Sequence, residues 1–291
     1  MIFFQYLVGG LAVGMVYALM AIGYSIVFGI LQLINLSHSA VYAFGAQIFL
    51  VYAGMSFGIP GALIASIATT GLLSAFIEFT ALRPLRKKEP MPVAGIITTM
   101  GSAYIIQNLL NNIFGSDRKL FPDFYNIPLN LDNLPVTPHQ LILFTSSLLL
   151  LIGLTLIVNR SKLGFAMQAV QQNQGAAALM GINTNFVISF AFFLSGASAA
   201  IAGVLIGGYY QVAYPMMGSA IGMKAFSASV LGGIGEMRGA ALGGLLVGAV
   251  EGIVTGYLGG AYKDAISFII LIAVLIFKPE GLFGKKAISK V

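Results

Sequence analysis

The chain has 291 residues, and its 15 basic and 9 acidic side chains make only 8% of it charged, against 58% hydrophobic and a mean hydropathy of +0.93. An ordinary globular chain is about 25% charged, so a soluble enzyme domain and a disordered region are both excluded. The absence of cysteine also excludes a disulfide scaffold, thiol chemistry and a soft-metal site. The net charge of +6 comes in short clusters between apolar runs and not as one basic face, which speaks against nucleic acid and for membrane topology signals.

Residues 1–77 and 163–223 carry no charged side chain. A bilayer core needs roughly 20 apolar residues of helix, and the runs lack the strict alternation of a membrane barrel. The sequence therefore predicts an all-α polytopic membrane protein, one transmembrane domain over 1–291, helical throughout. It has about nine spans (range 8–10), near 5–28, 39–54, 60–82, 93–114, 139–158, 184–207, 223–235, 239–256 and 264–277. The N-terminus has no basic residue ahead of its apolar run and reads as a retained first span. None of the ten prolines interrupts a proposed span.

Arg83, Arg86, Lys87 and Lys88 follow the third span, Arg160 and Lys162 the fifth, and Lys278, Lys285, Lys286 and Lys290 the ninth. By the positive-inside rule these segments are cytoplasmic. Residues 115–138 form an external loop, and Arg118, Lys119, Lys224 and Lys263 are placed outside, with the N-terminus outside and the C-terminus inside. The spans at 223–235 and 264–277 reach only about 20 Å as helix. They, and the polar break Asn35-Leu36-Ser37-His38-Ser39, suggest broken helices and an inverted repeat of spans 1–4 and 6–9.

Several residues stand out within this frame. Gly244, Gly248, Gly252 and Gly256 recur every fourth position in the eighth span, a bare face for packing within the subunit or against a partner subunit. Glu251 beside that face is an intramembrane carboxylate and so a candidate pathway residue, unless it is neutral or paired with something such as Lys263. Asn35, Ser37 and His38 either line a pathway or cap the second helix. The four aspartates lie outside long apolar runs, which predicts no paired-carboxylate site in the bilayer. Glu78, five residues before Arg83, is placed at the inner interface. No phosphate-binding loop of the G-x-x-x-x-G-K-[ST] type and no G-x-S-x-G elbow occurs, so catalysis by those routes is absent.

After the fifth span, Ser161 can cap a short amphipathic helix with Leu163, Ala166, Met167 and Val170 on one face and Gln168, Gln171 and Gln172 beside it. Uncharged glutamines suit docking to a soluble protein better than lying on lipid.

Here the chain resembles a branched-chain amino acid ABC transporter permease of the high-affinity leucine/isoleucine/valine type. The resemblance runs over Gly10 to Leu19, Ile34 to His38, Leu163 to Asn183, Val230 to Gly235 and Lys278 to Gly284. It implies a multi-pass bacterial inner-membrane subunit paired with a second, homologous permease, docked on two ATP-binding cassette subunits and fed by a periplasmic substrate-binding protein. ATP and Mg would sit on those partners and no cofactor on this chain. Residues 159–183 would be the cytoplasmic coupling segment, with Leu163, Gly164, Phe165, Ala166, Met167, Gln168, Ala169, Val170 and Gly181 as coupling residues. Phe165 and Gln168 stand where the family commonly has arginines. Relatives in the family also take urea or short amides, and a self-sufficient secondary transporter or channel for a small neutral solute, with Glu251 and His38 as its sparse coupling site, is the rival reading.

Overall fold

In a computed structural model, residues 2–55, 57–86, 92–122, 136–278 and 280–284 are described. Lys87, Lys88, Pro90, residues 123–135, Pro279 and residues 285–291, on which several of the sidedness expectations fall, lie outside them.

The fold is a helical bundle. Helix α1 covers Ile2–Leu31, α2 His38–Gly54 and α3 Gly58–Ile77, which continues through a π-helical turn at Glu78–Leu82 and a last turn at Arg83–Arg86. Then come α4 (Pro92–Phe114), α5 (Pro138–Arg160), the short α6 (Lys162–Gln172) and α7 (Gln174–Leu179), and α8 (Thr184–Tyr210). The last three are α9 (Gly218–Gly232), α10 (Met237–Tyr257) and α11 (Lys263–Phe277). Among the described residues seven helical stretches are long and apolar enough to cross a membrane, the third as Gly58–Arg86 and the last as Gly260–Phe277, where the 3-10 turn Gly260–Tyr262 leads into α11. Helices α2 and α9, with 17 and 15 residues, are shorter.

Three details depart from the sequence expectations. The third helix runs on through Pro84 to Arg86, because the preceding π turn already breaks the i→i−4 ladder where a proline could not contribute. Helix α9 starts at Gly218 and not near 223, so Lys224 lies within a helix at 3% exposure and not at the outer end of a span. The chain is not helical throughout: β1 (Lys119–Leu120) pairs antiparallel with β2 (Val212–Ala213), Lys119 opposite Ala213. Glu78 is fully buried.

The ladder fixes one end of the bundle, where α4 and α8 finish. At the same end Gly9 of α1 abuts Gln140 of α5, and Tyr6 abuts Gly256 of α10. Thr137 and Gln140 form a capping box that starts α5 there. At the opposite end Gln174 Nε2 donates to Ile30 O at the close of α1, and Arg83 reaches Ser189 and the carbonyl of Asn185 near the start of α8. Lys119 and Lys263 thus share one end, and Arg83, Arg86, Arg160 and Lys162 the other.

Helix α2 starts deep in the bundle. Helix α1 ends at Gln32, whose φ of 54° turns the chain back, and residues 33–37 return it to His38, beside Gly23 of α1 and Ser195 of α8. Ser195 lies eleven positions into α8, about 17 Å along it. The chain therefore re-enters the bundle before α2 begins, and such non-helical backbone is tolerated only where protein buries it.

Candidate functional site

The seam between α1 and α10 is made of backbone. A Cβ at Gly248 would stand 2.2 Å from Gly14 Cα, one at Gly252 2.7 Å from Gly10 Cα, and one at Gly244 2.5 Å from Ala18 Cα. Gly256 accommodates the Tyr6 ring. The glycine stripe is thus occupied by α1 of the same chain, and helices without side chains at the contact approach closely enough for dispersion to hold them.

That approach sets Glu251 against α1. Its Oε2 accepts from Tyr17 Oη at 3.0 Å and its Oε1 from Lys224 Nζ at 2.8 Å. The same ammonium lies 2.7 Å from Asp264 Oδ1 at the start of α11. Glu251 therefore pairs with Lys224 and not with Lys263. Glu251 and Asp264 thus converge on one ammonium, with Asp264 at a helix start outside any long apolar run. Glu251 lies six residues, about 9 Å, before the end of α10, so the cluster sits toward the end of the bundle that carries Lys263. Burying two charges is favourable only when they are paired and hydrogen-bonded, and Tyr17 supplies the extra donor.

Two cavities open beside the cluster. One, of about 460 Å³, is bounded by Tyr17, Lys224, Asp264, Tyr210, Tyr214 and Arg118, with Lys263 also on its wall. The other, of about 400 Å³, has Glu251, Tyr210, Lys263 and Gln140 on its wall. Tyr210 and Lys263 border both.

Asn35, Ser37 and His38 form a second, neutral polar group. Asn35 Oδ1 accepts from Ser37 N at 3.2 Å and Ser37 Oγ at 2.6 Å. Ser37 makes no side-chain cap to α2, so capping of the second helix is not what the serine does. His38 Nδ1 lies 3.1 Å from Ser195 Oγ, and its ring stands edge-on to Tyr24 at 4.5 Å between centroids. Gly23 leaves the room, since a Cβ there would be 2.6 Å from the imidazole. His38 and Glu251 thus have separate partners, and the structure does not bring them together.

A third cluster closes the far end of α3. The Glu78 carboxylate accepts from Arg83 at 3.1 Å, from Arg86, and from Ser189 Oγ of α8 at 2.5 Å.

Residues 159–183 are built from three caps. Ser161 Oγ accepts from Gly164 N, Asn173 Oδ1 from Ala176 N and Asn183 Oδ1 from Phe186 N, so α6, α7 and α8 each start on a side-chain oxygen. Gly164 packs so close to Val158 O that a Cβ would stand 2.0 Å away, and Gln168 donates to the same carbonyl.

The family model described as "Branched-chain amino acid transport system / permease component" matches residues 6–275. The chain is 37% identical to the high-affinity branched-chain amino acid transport system permease protein BraD of Pseudomonas aeruginosa, over 99% of this chain and 98% of that protein. It is 36% identical to the permease protein LivH of Escherichia coli K12 over the same shares. A probable branched-chain amino acid transport permease of Methanocaldococcus jannaschii is 31% identical over 91% of this chain and 88% of its own. The chain belongs to this permease family. No solved structure matches it.

In the permease, the amphipathic helix α6 faces the other way from the sequence expectation. Met167 and Val170 are 3% and 1% exposed, packed into the chain's own core with Ala166 and Ala169 at its edge, and Leu163 is half-buried. Periodicity tells that a helix has an apolar face but not whose core the face meets. The apolar side chains left outside are Phe165 at 57%, Leu179 at 91% and Met180 at 83%, with Gly181 exposed after them at φ 83°.

Sequence reasoning also missed Lys224, Asp264 and Tyr17. The signal was there for the lysine: it is the sole charge between Lys162 and Glu236. A lone cation in so long an apolar run demands a buried anion, and Glu251 on the next helix is the nearest carboxylate within an apolar segment.

Proposed function

We propose that this chain is the membrane-spanning subunit of an ATP-driven importer of branched-chain, hydrophobic amino acids. The family match over residues 6–275, together with alignment along nearly the full length of BraD and LivH, carries this reading. The chain works in the cell inner membrane by alternating access, beside a second permease, two ATP-binding subunits and a periplasmic binding protein. ATP and Mg belong to the ATP-binding subunits. The end bearing Lys119 and Lys263 faces outward and the end bearing Arg83, Arg160 and Lys162 faces the cytoplasm, in line with the positive-inside rule. Spans 1–4 and 6–9 act as inverted halves, supported by the order long, short, long, long in α1–α4 and long, short, long, then the shorter α11 in α8–α11.

The ATP-binding subunits dock on residues 159–183 through Phe165, Leu179 and Met180, because these apolar side chains are exposed while Met167 and Val170 hold α6 on the spans. Mass spectrometry of the tagged chain purified in mild detergent should find a sister permease and ATP-binding subunits. A Leu179→Asp, Met180→Asp variant should stay monodisperse and lose the ATP-binding subunits, whereas Met167→Asp should unfold. Solute uptake by the chain alone in proteoliposomes without ATP would overturn the importer reading. In the same cysteine-free background, an impermeant thiol reagent on intact cells should label Lys119→Cys and not Lys162→Cys.

A further inference from the structure

We infer that the 460 Å³ cavity between α1, α8, α9 and α11 binds the substrate as a zwitterion, its ammonium at Asp264 and its carboxylate at Arg118. The inference rests on the amino-acid import reading and deepens it by naming the groups that recognise the head of the substrate. Lys224 is one ammonium held by two carboxylates, 2.8 Å from Glu251 and 2.7 Å from Asp264, so the cluster carries one negative charge in excess. Glu251 is the buried member, with Tyr17 as its second partner, whereas the Asp264 side chain is 51% exposed and lies on the cavity wall. Asp264 is the carboxylate that this trio presents to the cavity, beside Arg118 and Lys263, so the wall carries charges of both signs.

The opposite charge is available on the same wall. Arg118 reaches it from the segment before β1, with its guanidinium over the Tyr214 ring at 5.4 Å, and the planar fork suits a carboxylate. Lys263 adds a second cation. The rest of the wall is largely apolar and aromatic, with Ile206, Ile221 and Met217 as well as Tyr210. A ligand with opposite charges at one end and a branched hydrocarbon at the other matches that wall. A neutral amide would bring no charge to either Arg118 or Asp264, and a charge is desolvated at least cost when an opposite charge meets it.

The protein has no tryptophan, so Tyr214→Trp gives a single fluorescent reporter on the cavity wall, and Ile221→Trp a second should the first disturb the fold. The full chain in mild detergent is titrated with leucine, leucinamide, 4-methylpentanoate and acetamide. Leucine should give a saturable change, with leucinamide, which lacks the carboxylate, and 4-methylpentanoate, which lacks the ammonium, each at least tenfold weaker. Arg118→Gln should erase the preference for leucine over leucinamide, and Asp264→Asn the preference over 4-methylpentanoate. An equal response to all four compounds, or none at either reporter, would overturn the cavity as a zwitterion site. The import reading would still stand or fall on its own co-purification and uptake tests. Saturation by acetamide and not by leucine would overturn the zwitterion assignment and the substrate class together.

Discussion

Two buried glutamates are answered in opposite ways. Glu78 is one carboxylate between two guanidiniums, at an end of the bundle, with arginine side chains 22% and 18% exposed. Glu251 shares one ammonium with a second carboxylate, and that lysine side chain is 4% exposed. The first cluster has surplus positive charge that water can still reach, which suits a fastening between α3 and α8. The second has surplus negative charge with little solvent around its ammonium, and its outer member looks into a cavity. The same residue type thus closes a clasp where the compensating charge is in excess, and where it is in deficit shares its lysine with a second carboxylate.

The largest way to break this contrast is Lys224→Met. It leaves Glu251 and Asp264 facing each other with no cation, and removing one member of a buried pair costs about 3–5 kcal/mol. The temperature at which half the protein leaves the monodisperse chromatographic peak should fall steeply. A Lys224→Met, Glu251→Leu double variant should regain most of the loss, since the buried charge goes with its partner. A second variant, Glu78→Ala, should cost less, about 1–3 kcal/mol by the same assay, because Arg83 and Arg86 can turn to water. Equal losses for Lys224→Met and Glu78→Ala would show that burial depth does not separate the two clusters.

The smallest effect belongs to the neutral group. Ser195→Ala removes a hydroxyl from His38 and should cost about 1 kcal/mol, with Ser195→Thr restoring part of it. A loss matching that of Lys224→Met would mean that His38 carries a charge in the folded protein.

What could be read in advance follows the same divide. Glu78 and Arg83 are five apart on one helix, so their pairing is a local matter visible in the chain. Lys224, Glu251 and Asp264 lie on three helices, and their meeting depends on how α9, α10 and α11 pack, which no local pattern encodes. The fourfold glycine spacing announced a close helix contact, and Gly10 and Gly14, also four apart, were the matching half in α1. Nothing in either stripe said that the two belonged together. The apolar face of α6 was legible as a face, but its direction was set by Val158 and the α5 turn that Gly164 lets it approach.

The glycine seam has a mechanical consequence. Helices joined by interlocked side chains can slip by exchanging rotamers, each step a small rearrangement. Between Gly10, Gly14 and Gly244, Gly248, Gly252 there are no rotamers to exchange, only main chain against main chain. Helices α1 and α10 consequently behave as a single strut. Gln174 bonds to Ile30 and Gln171 lies against Gly29 at one end of that strut, while Tyr17 and Glu251 are carried along its length. Residues 171–174 and two members of the charged cluster are thus joined through one pair of helices.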